Sequence, residues 1–325
     1  MAMPAIVGDV ERSTLAALWD TTRMRLLVEL ARQDSVSAAA RAIGVTQSTA
    51  SEHMRVLEVA TRQPLVERFG RGSRLTDAGR ALARRAAAAL AELAAGEEEI
   101  ADLAGLQTGR IALAASWSPG AYLLPDTLKC FRHEFPGVSI DLDVASSADV
   151  IERLLAGRVQ LAIVGAQQAD PRVHLDPFLE DEIVGIAKPG LLPLKAGKLN
   201  SAEIASLTLL GREAGSSSRE LVERELQSIE IRPGMTWELG STEAVKRAAR
   251  EGLGIAFLSR YAIAEEVERG DLETFRLRGR PPIRRDFSIA TLAGRPLSPS
   301  ELGFIATLTR CCAKSAAYAK ACVAA

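Results

Sequence analysis

The stretch from Asp34 to Leu57, DSVSAAARAIGVTQSTASEHMRVL, constrains the fold more than any other part of the chain. Its periodicity gives two short helices around a tight turn. The first runs from Ser37 to Ile43 and is rich in alanine. Gly44-Val45-Thr46 forms the turn, with glycine where a left-handed backbone is commonly required. The second helix starts at Gln47 behind a Thr46 cap and sets Ala50, Met54 and Leu57 on one apolar face. Small alanines permit close helix crossing, while Gln47, Ser48, Thr49, Ser51, Glu52, His53 and Arg55 stay outside. A helix pair of this form can place its second helix in a DNA major groove. A plain αα-hairpin in a helical core satisfies the same pattern, so this stretch alone leaves both readings open.

Charge separates the two. The chain of 325 residues carries a formal net charge of −1, yet residues 23–85 hold twelve arginines against six carboxylates. No lysine occurs before Lys129. A basic N-terminal module on a near-neutral chain implies a polyanionic partner for that module. The 325 residues are enough for two or three domains, and 47% hydrophobic content supplies their cores. Cys130, Cys311, Cys312 and Cys322 show no metal-binding or CxxC spacing. Residues 1–13 contain acids and lack a long apolar core, unlike a signal peptide, and no apolar run reaches the ~20 residues of a membrane span. The expectation is a cytoplasmic chain with no membrane partner and no cofactor.

In order, Leu15–Ala31 reads as a helix preceding the helix pair. Leu65-Val66-Glu67-Arg68 and Arg74-Leu75-Thr76 then read as two short strands around Gly70-Arg71-Gly72-Ser73, a wing with Arg68, Arg71 and Arg74 near its tip. Guanidinium groups there would meet phosphates or the minor groove, which position a protein more than they select sequence. Thr76-Asp77 caps a helix of about 28 residues, a rod of ~42 Å ending near Leu103. Its apolar stripe, Leu82, Ala86, Leu90, Leu93, Ile100 and Leu103, exceeds what a small winged domain can cover. Self-association, or packing on the chain's own C-terminal half, would bury it.

Ser37-x-Ala39-Ala40, Gln47-Ser48-x-x-Ser51, Leu57-Glu58, Pro64-Leu65, Glu67-Arg68 and Leu75-Thr76-x-Ala78-Gly79 fall in an order and spacing that resembles the LysR-type transcriptional regulators. Gly109–Leu113, Tyr122–Pro125, Phe135–Val138, Gly215–Arg219, Glu238–Lys246 and Gly252–Ala256 continue the match. Three positions depart: Arg62 stands where the family has glycine, Val66 where it has phenylalanine, and Gln160 where aspartate is common. The resemblance implies a winged helix-turn-helix at residues 14–76 and a linker and dimerisation helix at 77–105. It further implies a two-lobed α/β effector domain at 109–310, similar to a type 2 periplasmic binding protein. Composition makes Ser298–Ala325 largely helical, able to pack on the first lobe, with 311–325 as a helical tail beyond it. The resemblance also implies a homodimer or homotetramer on double-stranded DNA, with Ser37, Gln47, Ser48, Thr49, Ser51, His53, Arg55, Arg68, Arg71 and Arg74 facing that DNA.

From Gly109 onward, independently of the resemblance, strand-length apolar runs alternate with helical patterns, which argues for α/β sheets with ligands at the strands' carboxyl ends. The strands are Ile111–Ala115, Val138–Val144, Gln160–Val164, Glu182–Ala187, Leu207–Leu210, Thr236–Leu239 and Gly254–Leu258. The two lobes that the resemblance implies would be joined by crossings near Gly165–Gln168 and Gly270–Thr274. Four strand-to-helix turns offer hydroxyls and free N–H groups, at 116–120, 146–147, 215–218 and 241–242. Each is an ordinary N-cap or part of an anion site; Ser116, Ser118, Ser147, Ser217 and Ser218 are the candidate effector contacts. Lys246 and Arg247 read as surface residues. An α/β enzyme fused to a DNA-binding domain is the alternative, but GxSxG, HExxH and P-loop signatures are absent from the sequence. A secreted solute-binding protein would carry a leader and no basic helix pair.

Overall fold

The computed structural model describes residues 20–69, 72–103, 108–165 and 170–324. Helix α1 (Thr21–Gln33) begins at Asp20, whose carboxylate accepts the Arg23 N–H. Helix α2 (Val36–Ala42) is capped by Ser35 and α3 (Gln47–Thr61) by Thr46, each hydroxyl accepting a first-turn N–H. Leu26, Leu27 and Leu30, Ala39 and Ala40, and Ala50, Met54 and Leu57 share one buried core. Burying each of these leucines contributes about 2 kcal/mol. Strands β1 (Val66–Phe69) and β2 (Gly72–Leu75) pair antiparallel from Val66↔Leu75 to Phe69↔Gly72. Arg71, expected near the tip of the wing, lies outside the described residues, as do residues 15–19 of the expected first helix.

Helix α4 (Asp77–Leu103) continues through Gly96 without a break. Its first half has a local partner after all. Ala83 and Ala86 are buried in the head core, with Leu82 and Leu90 packed at its edge and α1 alongside. Leu93 and Ile100, further along, stay 53% and 70% exposed.

Strand β3 (Thr108–Ser116), helices α5 (Trp117–Tyr122) and α6 (Leu124–Glu134), strand β4 (Gly137–Ala145), helix α7 (Ser147–Leu155) and strand β5 (Leu161–Val164) open the first lobe. β3 pairs in parallel with both β4 and β5. β6 (Val173–Ala187) leads into the second lobe, which holds β7 (Lys198–Leu199), β8 (Thr208–Gly211), α8 (Ser217–Ser228), β9 (Met235–Glu238), α9 (Thr242–Arg250), β10 (Ala256–Ser259), α10 (Arg260–Glu268) and β11 (Glu273–Leu277). β12 (Ile283–Leu292) returns to the first lobe, and α11 (Pro299–Ala324) closes it, burying Phe304, Leu308 and Cys312. This helix takes in the expected helical tail at 311–325 except residue 325, which lies outside the described residues. Burial pushes the Cys312 thiol up to about 12, leaving it an inert core residue. Among the described residues, no helix is long and apolar enough to cross a membrane.

The lobe crossings differ from the sequence expectation. Residues 166–169 lie outside the described set, and Glu273, Thr274 and Phe275 pair with Ala187, Ile186 and Gly185 inside the second lobe. The chain crosses on β6 and returns on β12, paired antiparallel from Ile283↔Ile183 to Leu292↔Val173. Both strands are long enough to serve two sheets. A register shift between Phe287 and Ser288 relieves the ladder where the lobes meet.

Candidate functional site

Two surfaces carry the candidate residues. On the head, Gln47, Ser48, Thr49, Ser51 and Arg55 are exposed along the start of α3, and Ser37 is half-buried on α2. The Thr46 hydroxyl accepts the Thr49 N–H at 3.1 Å and lies 2.8 Å from both Ser48 Oγ and Thr49 Oγ1. That network fixes the helix entrance. His53 is less free than its position in the helix suggests, because its Nδ1 accepts Arg23 Nε at 3.3 Å. Arg55 pairs with Glu52 at 2.6 Å and Arg74 with Glu67 at 2.7 Å, all four exposed. Such exposed pairs are worth little and open readily toward a phosphate.

The motif residues have concrete duties here. Glu58 Oε1 accepts the N–H groups of Leu65 and Val66 at 2.8 and 3.3 Å, anchoring the entry to the wing. The Thr76 hydroxyl donates to Pro64 O at 2.7 Å and accepts Gly79 N–H at 3.1 Å. A Cβ on Gly79 would stand 2.2 Å from Leu65 O, so only glycine fits against that carbonyl.

The second surface is the cleft between the lobes. Ser146, not Ser147, caps α7, accepting the Asp149 N–H at 3.1 Å. This leaves Ser147 at the first helical position, where its hydroxyl donates to Ser217 Oγ at 3.0 Å across the cleft. Ser217 begins α8, whose cap residue Ser216 makes no side-chain cap bond. The starts of two helices from opposite lobes therefore face each other, each with unspent N–H groups and partial positive charge. Ser147, Ser216 and Ser218 are all buried. Ser116, the cap position of short α5, and Ser118 within it are also buried, and Ser116 makes no cap bond.

Sequence reasoning missed the arginines. Arg285 on β12 donates Nη1 to Ser217 Oγ at 2.9 Å and Nε to Asp181 at 2.8 Å. Ser217 Oγ thus accepts twice, and its own proton stays available to donate. Arg285 Nη2 is buried without a hydrogen-bond partner among the described residues. Asp181 also accepts the Ser259 hydroxyl at 2.8 Å; burial pushes its carboxyl up, against the pull of Arg285 and Ser259. Gly165, at the end of β5, gives Arg285 its room: a Cβ there would lie 2.8 Å from Nη1. Arg212, also buried, is gripped by Glu213, donates to Thr242 Oγ1, and lies 5.8 Å from the Trp117 ring centroid. That contact joins the start of α5 to the start of α9. No local pattern signals these residues, since Arg285 and Asp181 meet only through strand register.

Lys246 also departs from the surface expectation. It is buried between Glu243 and Glu266, 2.7 Å from each, with the Tyr122 ring centroid 5.1 Å away.

Comparison with known proteins agrees with this division. The LysR substrate binding domain matches residues 104–313, and the bacterial regulatory helix-turn-helix of the lysR family matches residues 21–80. The HTH-type transcriptional activator CmpR of Synechocystis is 32% identical over 80% of this chain and 85% of its own length. Among solved structures, full-length OxyR from Pseudomonas aeruginosa superposes with a TM-score of 0.70 at 21% identity, covering 90% of this chain and 93% of that one. The Synechocystis CcmR regulatory domain in complex with 2-PG gives 0.58 at 28% identity, covering 62% and 97%. With a basic winged head, a two-lobed domain and both family matches in place, the chain belongs to the LysR family of bacterial transcriptional regulators, and it is not an enzyme.

Proposed function

We propose that a small anion binds between the lobes, at the facing starts of α7 and α8, and alters how the head engages its operator. The observation that carries this reading is Ser217. It takes hydrogen bonds from Ser147 of the other lobe and from Arg285 of the crossing strand, beside two helix N-termini. Anions are favoured at such termini without a net positive cage, and both buried arginines here are already matched by carboxylates. The complex of the CcmR regulatory domain with 2-PG supports a small ligand for this class of domain. Ser116, Ser118 and Ser218 complete the proposed lining.

On the head, Gln47, Ser48, Thr49, Ser51 and Arg55 meet bases or backbone in the groove, with Ser37 and His53 setting the angle of approach. Arg68, Arg71 and Arg74 hold phosphates flanking it. The operating form is a homodimer or homotetramer that bends its operator. The anion shifts that assembly only by its difference in affinity between two arrangements.

A thermal-shift series on the purified chain with inorganic phosphate, sulfate and 2-PG tests the cleft. At a concentration ~100 times Kd, a bound anion adds about 2.7 kcal/mol to the stability of the wild type. The S147A/S217A variant is expected to lose that shift. An undiminished shift in the variant, or none with any of the three in the wild type, would refute the site.

A further inference from the structure

Helix α7 has one end in the cleft and the other against the DNA-reading head. Its start carries Ser147, in contact with Ser217. Its end is turned by Gly157 at φ +68, with the Gly157 N–H on Leu154 O at 3.0 Å and the Arg158 N–H on Arg153 O at 2.9 Å. The very next contacts leave the lobe. Arg158 Nη2 donates to the carbonyl of Ala31, in the last turn of α1. Arg32 Nη2 donates in return to the Arg158 carbonyl at 3.1 Å. Gly157 lies against α4 so closely that a Cβ would stand 2.5 Å from that of Ala87.

The chemistry of this corner is favourable and local. A carbonyl in the last turn of a helix has no intrahelical partner and carries partial negative charge, which a guanidinium satisfies. Around the corner the head and the lobe stand apart. A cavity of about 420 Å³ lies beside it among Arg25, Arg32, Ile43, Leu90 and Gly157. Another, of about 880 Å³, separates α4 from Pro171, Leu292 and Arg295. A narrow fastening between two open spaces can be released without exposing a core.

Rigidity on both sides makes it a lever. Val150 and Leu154 seat α7 in the first-lobe core, fully buried, and its nine residues span about 13 Å. On the far side, residues of α1, α2, α3 and α4 share one core, so the head moves as a unit.

We propose that α7 transmits the state of the cleft to the head, with Arg158 as the positioning residue that fastens the two. The proposal deepens the cleft reading by naming how that site is coupled to DNA. It rests on that reading for what occupies the cleft, while the link itself is present without a ligand.

Hydrogen–deuterium exchange on the full chain, with no ligand added, tests it. S147A/S217A is expected to raise amide exchange at 157–160 and at 30–34 by roughly five-fold, the scale of one lost hydrogen bond. R158A should raise exchange at the same amides, with R32A as a milder version. Adding R158A to S147A/S217A should give no further increase, and R158K should restore much of the protection. If S147A/S217A leaves 157–160 and 30–34 unchanged, or if its effect and that of R158A simply add, α7 is not the link. A failed anion screen would leave this result standing, and 2-PG stabilisation that survives in R158A would show the cleft intact.

Discussion

Arg62 shows what a single position can cost. It ends α3 at φ 52, ψ 31, the left-handed conformation that glycine adopts without strain. A side chain there costs on the order of 1 kcal/mol. The departure from the family glycine therefore leaves the turn in place and is carried as strain. R62G is expected to stabilise the protein by about 1 kcal/mol, read as a higher denaturation midpoint of the head at unchanged slope. A destabilised R62G would mean that the arginine makes up for its backbone elsewhere. Gly79 marks the opposite case, where the family residue is kept because Leu65 O leaves no space for a Cβ. Lys246 departs from the surface expectation for a physical reason. Glu243 three residues earlier on α9 looks like an exposed helix pair, and the second carboxylate, Glu266, arrives from α10, an element that local periodicity cannot bring near it.

At the scale of elements, the lobes are tied at a second place besides Ser147–Ser217. Tyr122, at the end of α5 in the first lobe, donates to Glu243 of α9 in the second at 2.8 Å. The Tyr122 hydroxyl is raised to about 12, chiefly by burial, with Lys246 opposing and the bond to Glu243 adding to the rise. For Glu243 itself burial works upward, yet the bonds from Lys246 and Tyr122 prevail and its carboxyl sits below the usual range. The raised tyrosine sets the sign of a pH effect. Its contribution is complete below the unfolded value of about 10 and disappears as pH rises through about 12. The stability advantage of the wild type over Y122F should shrink across pH 10–12, with tyrosinate absorbance placing one transition near 12. An advantage that stays constant through that window would place the bond outside the folding equilibrium.

The same elements show what periodicity can and cannot reveal. Helices α2, α3, α4 and α9 and strands β3, β4 and β8 follow the expected positions closely, because each carries its own cap or alternation. Only the second half of β6 reads as strand. Its first half, VHLDPFLED, includes Pro177 and four charged or histidine side chains, a loop-like pattern that becomes strand by pairing with β12. The sequence marks the helix starts themselves: Ser116 is a cap position, and Ser118, Ser147, Ser217 and Ser218 lie in the first turns of α5, α7 and α8. Arg285 and Asp181 carry no such mark, since their meeting depends on a register more than a hundred positions apart.

Across the whole molecule, one ribbon and one helix organise the parts. β6 and β12 bridge the lobes and hold Arg285 against Ser217, while α7 runs from that contact to Arg158 and the head. The exposed Leu93 and Ile100 on α4 are left for a second copy of the chain in the proposed oligomer. On the proposed link, small displacements at the cleft would reach the recognition helices without a change in any core. Fluorescence anisotropy with labelled duplex from beside the chain's own gene measures this directly. Take the anion giving the largest thermal shift and compare DNA affinity with and without it. The wild type should change its Kd by roughly five-fold or more, in the usual range of allosteric coupling, and S147A/S217A by less than about two-fold. An equal response from S147A/S217A would contradict control of DNA binding from the cleft.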